Sequence, residues 1–309
     1  TKSAGAKLIL ESLKSFFLSL YSEGFEVEFS SSLPQSAVDI LISFKAIPSD
    51  FSQAKYHCLV VCDEVEYFWR DLGKFDEVIV TSSMELVRLV QKANTKLVTF
   101  IPEHEPDSTL YRDVRDERGV RYKIFWHGGE HSLSALKRYI PVFENLMDFT
   151  DFEGLTLVSG EKSAREEVWG RIPVSIRPWS KENLIAASNE ARLAVIPSRS
   201  GLKHSYLKPA SRIRCSLSMG LLAIGSARVP EVRRLAEELR LPVLTNDLVV
   251  DYRIIREAWF YEEDRGRSAE WKEHLIASNS ERRVQILWIH LLNRIRSKLV
   301  SKNGVDVKK

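Results

Sequence analysis

Short apolar runs recur along the chain, and between them the apolar positions switch to a helical spacing. In the first third the runs are FEVEF (25–29), VDILISF (38–44), HCLVVCD (57–63), EVIVTS (77–82) and KLVTFIP (96–102). Helical patterns fall at 7–21, near 64–72 and at 84–92. The runs are continuous rather than alternating, so the strands they predict are covered on both faces. Such strands, alternating with helices, make βαβ units and a parallel sheet.

Residues 102–119, PEHEPDSTLYRDVRDERG, interrupt this pattern with charge and two prolines, and read as an interdomain linker. The alternation then restarts. The runs are YKIFWH (122–127), LTLVSG (155–160), VSIRPW (174–179), LAVIPS (193–198), LLAIGS (221–226) and PVLTN (242–246). SALKRYIPVFENL, KENLIAASNEA and PEVRRLAEELR are the helices between them. The expected organisation is two parallel α/β domains, 1–110 and 118–255, with C-terminal helices over 256–309 that return to the N-terminal domain. In the last helix, about 280–299, Val284, Leu287, Trp288, Leu291, Leu292, Ile295 and Leu299 form an apolar stripe. Arg282, Arg283, Arg294, Arg296 and Lys298 line its other side. The stripe reads as a face packed on the body. The basic side reads as solvated, and also suits peripheral contact with a membrane surface.

Composition narrows the class. The 309 residues suffice for two cores, and 44% apolar with 28% charged residues is ordinary for a globular protein. A net charge of +3 gives no reason to expect a nucleic-acid partner. LILESLKSFFLSLY near the start carries Glu11 and Lys14 and reads as an amphipathic helix, not a signal or a span. Cys58, Cys62 and Cys215 form no disulfide framework, which fits a reducing cytoplasm. Cys58 and Cys62 share a strand face, and without further ligands at useful spacing they read as small buried side chains rather than a metal pair.

Charge distribution says more than the total. Positions 191–230 hold Arg192, Arg199, Lys203, Lys208, Arg212, Arg214 and Arg228 but no Asp or Glu. A field this one-sided between two core strands points to a pocket for an anion, and phosphate is the expected one. In LKPASRIRCSLSMG (207–220), Pro209 suits the first helical position and Gly220 the terminating one. Lys208 then sits at the cap and Arg212 in the first turn or just beyond. Cations there oppose the helix dipole unless a phosphate takes the N-terminal amides and both side chains.

Ligands of parallel α/β sheets bind at the carboxyl ends of the strands. HGGEH (127–131) follows the strand YKIFW, and its paired glycines allow close backbone approach and an anion nest; His127 and Glu130 flank them. RPWS (177–180) ends another strand: Trp179 suits a nucleobase and Ser180 caps the following helix. Tyr206 and Ser211 border the basic loop. In CDEVEYFWRD (62–71), Asp63, Glu64 and Glu66 lie after a strand of the first domain. A carboxylate there can act as general base toward an acceptor hydroxyl, and position selects Asp63. His104, His131 and His204 read as surface or supporting residues. No Gly-x-Gly-x-x-Gly, Walker loop, zinc spacing or Gly-x-Ser-x-Gly elbow is present.

Three of these blocks carry a resemblance. YKIFWHGG, VSIRPWSKENLIAASNEARLAVIPS and KPASRIRCSLSMGLLAIGSARVPEV resemble the donor domain of GT-B fold glycosyltransferases, and the likeness covers about residues 20–255. It implies two Rossmann-like domains facing a cleft and transfer of a sugar from a nucleotide-sugar donor to an acceptor hydroxyl. By resemblance, Lys208 and Arg212 hold the donor phosphates without a metal, Gly128 and Gly129 lie against the diphosphate, and Trp179 borders the base. No cofactor is expected, since the nucleotide sugar is a substrate. The acceptor would be a glycan or a lipid-linked sugar in surface glycan assembly, at a cytoplasmic or membrane-associated site. The chain departs from the family where many retaining members carry two glutamates eight apart. Counting back from Gly220, those positions are Leu207 and Cys215. The first domain also lacks an obvious opening strand and glycine loop before Lys7. Rival readings are a non-catalytic nucleotide- or sugar-binding module, a hinge-type solute binder and a sugar-nucleotide epimerase.

Overall fold

In the computed structural model most of the apolar runs form two largely parallel sheets, one in each of two compact units, while residues 27–29 of the run FEVEF lie outside the described residues. The structure describes residues 20, 24–26, 36–44, 46–61, 68–93, 96–102, 122–161, 163–198, 207–260, 270–271, 273–275 and 281–304. One unit takes its described residues from 5–104 and 279–309, the other from 105–278. The linker expected at 102–119 and the helix expected at 7–21 lie almost wholly outside the described residues.

The first unit holds four parallel strands in sequential order: β1 (Val38–Phe44), β2 (Ala54–Val61), β3 (Glu77–Val80) and β4 (Val98–Phe100). Every residue of β3 is buried, as a strand covered on both faces requires. Helix α1 (Met84–Gln91) follows β3 and starts at Ser83, whose side chain accepts from the amide of Leu86 at 3.1 Å. The C-terminal helix, Glu281–Gly304, packs on this sheet. Val284, Trp288, Leu291, Leu292 and Ile295 from the predicted stripe join Tyr56, Cys58, Val60 and Ile79 in one core. Arg294 is exposed, as expected of the basic side, but its guanidinium also reaches the sheet. It pairs with Glu77, which is fully buried and also takes hydrogen bonds from the Tyr56 and Thr99 hydroxyls. A buried carboxylate needs that compensation.

The second unit holds seven strands in the order β11-β10-β9-β5-β6-β8-β7. These are β5 (Lys123–Gly128), β6 (Gly154–Ser159), β7 (Arg165–Trp169), β8 (Ile172–Pro178), β9 (Ala191–Ile196), β10 (Leu222–Ser226) and β11 (Val243–Leu244). All neighbours are parallel except β7, which runs antiparallel to β8 at the edge. Apolar runs do not predict β7, because its Arg165 and Glu166 are exposed and only Trp169 is buried. The single helix expected at SALKRYIPVFENL is two: α2 (Leu133–Lys137) and α3 (Ile140–Phe149). Helix α4 (Lys181–Glu190) precedes β9, and α5 (Ser211–Ser218) lies between β9 and β10. Helix α6 (Pro230–Leu239) follows β10, and α7 (Leu248–Phe260) follows β11.

The structure divides the C-terminal segment that was expected to return as one piece. Trp259, Trp271 and Leu275 are buried in the core of the seven-stranded unit, and Trp259 donates to Asp151 at 2.7 Å. Asp251 anchors the start of α7. It is buried and accepts from the Tyr139 hydroxyl (2.6 Å), the Thr245 amide (2.6 Å) and hydroxyl (2.9 Å), and the Asn246 amide (3.0 Å).

Candidate functional site

The carboxyl ends of β5, β6 and β8 are level. Gly128 pairs with Ser159, and Ser159 with Pro178, across neighbouring strands. Most of the residues singled out from the sequence lie on or just beyond this edge. Phe125 and His127 share a face of β5, with ring centres 5.3 Å apart, and the Trp179 ring lies 5.7 Å from that of His127. His127 is buried, whereas Trp179 keeps partial exposure.

Helix α5 meets this edge with its N-terminus. It begins at Ser211 rather than at Pro209, and its N-cap is Ala210 rather than Lys208. Leu207 and Ala210 are both buried, and seating them turns the chain before the helix starts. Gly220 has φ +74, the left-handed value of a helix terminator, as its position after α5 predicts. The N-cap Ala210 of α5 has no side chain that can cap, no side-chain cap is made among the described residues, and no acid lies in the first turn. The capped helix α4 differs: Ser180 accepts from the Asn183 amide at 3.1 Å, and Glu182 sits in the first turn.

Arg212 links the helix to the strand. Its Nη1 donates to the His127 carbonyl at 3.4 Å, and its own carbonyl lies 3.2 Å from His127 Nε2. That carbonyl also accepts from the Ser216 hydroxyl at 3.0 Å. Close approach makes Gly128 necessary here. A Cβ on it would lie 2.9 Å from Arg212 Nη1 and 3.0 Å from the Trp126 ring. At Gly129 a Cβ would meet nothing within 4 Å. Gly129 and Glu130 are exposed, and Glu130 opens a 3-10 turn, Glu130–Ser132.

The electrostatics follow from this packing. Desolvation alone lowers the Arg212 guanidinium to about 10, and Arg212 forms no salt bridge with a carboxylate among the described residues. Burial, with the neighbouring Arg212 charge, drives His127 down to about 3, so its ring is neutral. The site therefore holds one half-buried cation, a helix N-terminus with no side-chain cap among the described residues, and a glycine surface. Together they can bind an anion and stabilise charge developing on it.

The structure thus brings His127, Gly128, Trp179 and Arg212 together. Ser211 is the first residue of α5, and half-buried Lys208 lies just ahead of it. Asp63, Glu64, Glu66, Tyr206, Arg199, Lys203, His104 and His204 lie outside the described residues. Cys58 and Cys215 are buried thiols, and Cys62 also lies outside the described residues. Among the described residues no three His, Cys, Asp or Glu side chains gather as a metal site, and no helix is long and apolar enough to cross a membrane. Sequence reasoning missed the reciprocal bonding of His127 and Arg212. The pair is 85 residues apart, and no local spacing encodes it.

No protein-family model matches the chain, and no curated protein sequence matches it. Solved structures do. Sucrose-phosphate synthase from Thermosynechococcus elongatus aligns with TM-score 0.58 at 15% identity, over 79% of this chain and 68% of that one. Anabaena HepE in complex with UDP and glucose aligns with TM-score 0.56 at 13% identity, over 77% and 72%. A mutant S. aureus TarM in complex with fondaparinux, alpha-GlcNAc-glycerol and UDP gives 0.57 at 10%, over 79% and 52%. The chain thus spans about half the length of that TarM. It has the GT-B glycosyltransferase fold, with two Rossmann-like α/β units.

Proposed function

We propose that this protein is a glycosyltransferase that moves a sugar from a nucleotide-diphosphate donor to an acceptor hydroxyl. The observation that carries the reading is Arg212. Its guanidinium is desolvated, lies against Gly128 at the open end of α5, and forms no salt bridge among the described residues. A donor diphosphate supplies the missing charge. Arg212 and Lys208 would hold it, the amides of Gly128, Gly129 and Ser211 would face its oxygens, and the base would lie by Trp179. Two cations and helix amides supply the charge stabilisation that a divalent metal supplies elsewhere, so transfer proceeds without one. Asp63 is the proposed base, and the acceptor is a glycan or lipid-linked sugar of a surface polysaccharide. Support comes from the fold and from neighbours whose structures contain UDP.

The test is UDP binding by calorimetry with wild type, Lys208→Ala and Arg212→Ala, with and without EDTA. Binding that survives EDTA and falls at least about tenfold in each variant, a loss of about 1.4 kcal/mol, supports the reading. Equal binding in all three proteins overturns it. Asp63→Asn is expected to abolish transfer and leave UDP affinity intact.

A second reading, nucleotide binding without turnover, has one observation behind it. Leu207 and Cys215, at the places where many retaining enzymes carry glutamates, are buried apolar side chains. Bound UDP-sugar that is neither transferred nor hydrolysed would favour it.

A further inference from the structure

We propose that His127 is the positioning residue of the anion site, held in a single tautomer so that it aims Arg212. The inference rests on the donor-site reading above.

The argument starts from the bonding of two residues to each other. The Arg212 carbonyl can only accept, so His127 Nε2, 3.2 Å away, must carry the ring proton. In return Arg212 Nη1 donates to the His127 carbonyl. Each residue thus holds the other's backbone, and the end of β5 is tied to the first turn of α5 at two points. The ring itself packs against Phe125 and Trp179. It cannot take up a second proton without charging a buried group beside Arg212. Nδ1 is buried without a hydrogen-bond partner among the described residues, so no acceptor there draws the proton to that nitrogen.

The consequence is local and directional. Arg212 reaches the glycine surface because its backbone is held from β5, and a guanidinium set a little differently would lose its place over Gly128. An apolar ring at position 127 would fill the same space against Phe125 and Trp179 and yet leave the Arg212 carbonyl without its donor. Packing and positioning are therefore separable.

Four variants separate them: His127→Phe, His127→Gln, His127→Asn and Arg212→Ala, with His127→Phe also combined with Arg212→Ala. UDP and inorganic pyrophosphate are the probes, read by calorimetry, and thermal melting checks folding. A Gln amide can approach the Nε2 position, whereas Asn reaches only the Nδ1 position. His127→Phe and His127→Asn are expected to weaken UDP binding about tenfold, the scale of one charge-assisted contact. His127→Gln is expected to restore most of it. In the Arg212→Ala background the His127→Phe change should cost nothing further, which a merely structural role would not produce. The ring nitrogen shifts of His127 in a 15N spectrum should show protonated Nε2 and bare Nδ1.

Several results overturn the inference. One is UDP affinity in His127→Phe equal to wild type. Another is a loss that persists undiminished without Arg212, and a third is a proton on Nδ1. Where UDP binding needs Arg212 but not His127, the positioning role alone falls. Where neither probe binds wild type, or binding ignores Arg212, the donor-site reading falls and takes this inference with it.

Discussion

Two arginines of this chain, half-buried Arg212 and the more exposed Arg294, bond to groups of the protein and differ in what neutralises them. Arg294, on the C-terminal helix, meets the fully buried carboxylate of Glu77, which Tyr56 and Thr99 also serve. Arg212, on α5, meets the carbonyl of His127 and forms no salt bridge among the described residues. The first pair closes its own charge balance and holds a helix on a sheet. The second meets no carboxylate among the described residues, at a sheet edge where ligands of parallel α/β folds bind. An internal counter-ion marks an arginine as part of the scaffold. A desolvated one without it marks a place for an anion from outside.

The largest effect should come from breaking the closed pair. Arg294→Ala leaves Glu77 buried with only its two hydroxyl donors, and because the arginine is itself partly exposed the cost is about 1–3 kcal/mol at neutral pH. Urea unfolding measures this, and UDP affinity should change by less than about twofold. If Arg294→Ala weakened UDP binding strongly while stability held, the comparison would be inverted.

Arg212→Ala should do the opposite. UDP affinity is expected to fall at least about tenfold, while the ligand-free protein keeps its stability or gains slightly, because a desolvated charge is gone.

His127 sharpens the contrast through acid. Its folded value of about 3 lies below its ordinary 6.5, so between those limits the unfolded chain binds more protons. The contribution to stability is whole above pH 6.5 and is lost as pH falls toward 3, by at most about 1.4 kcal/mol per pH unit. Unfolding series at stepped pH should show a shallower slope in His127→Gln than in wild type. Identical slopes would contradict a buried neutral ring.

The smallest change concerns the glycines. Gly129→Ala meets open space and should alter ligand-free stability by less than about 0.5 kcal/mol. Any loss of UDP affinity would then report a ligand close to that backbone. Gly128→Ala displaces the guanidinium by contact and should weaken binding with or without a ligand against residue 129.

Much of the fold was legible because parallel strands covered on both faces announce themselves as apolar runs. VDILISF matches β1 residue for residue, and the runs before β5, β6, β9 and β10 fall within two residues of the strands formed. Most of what was not legible depended on distant contacts. Edge strand β7 carries exposed charges and exists because β8 offers a partner. The helix expected as one at 134–146 divides at Tyr139, where Pro141 starts the second piece, a local signal, and the Tyr139 hydroxyl bonds Asp251 far along the chain. Segment 256–309 divides because Trp259 finds Asp151 and Phe152, while Trp288 finds the other sheet.

The candidate site divides the same way. Sequence alone determined that an acid-free, basic stretch lies between two core strands, that a glycine pair follows a strand, and that a helix ends at Gly220. These are properties of neighbouring residues. Only the tertiary structure decided which cation meets a carboxylate. Arg294 and Arg212 are alike in sequence, and the difference between them is set by Glu77, 217 residues from one, and by His127, 85 residues from the other. Coulomb energy and desolvation depend on distance in space, which local spacing along a chain does not encode.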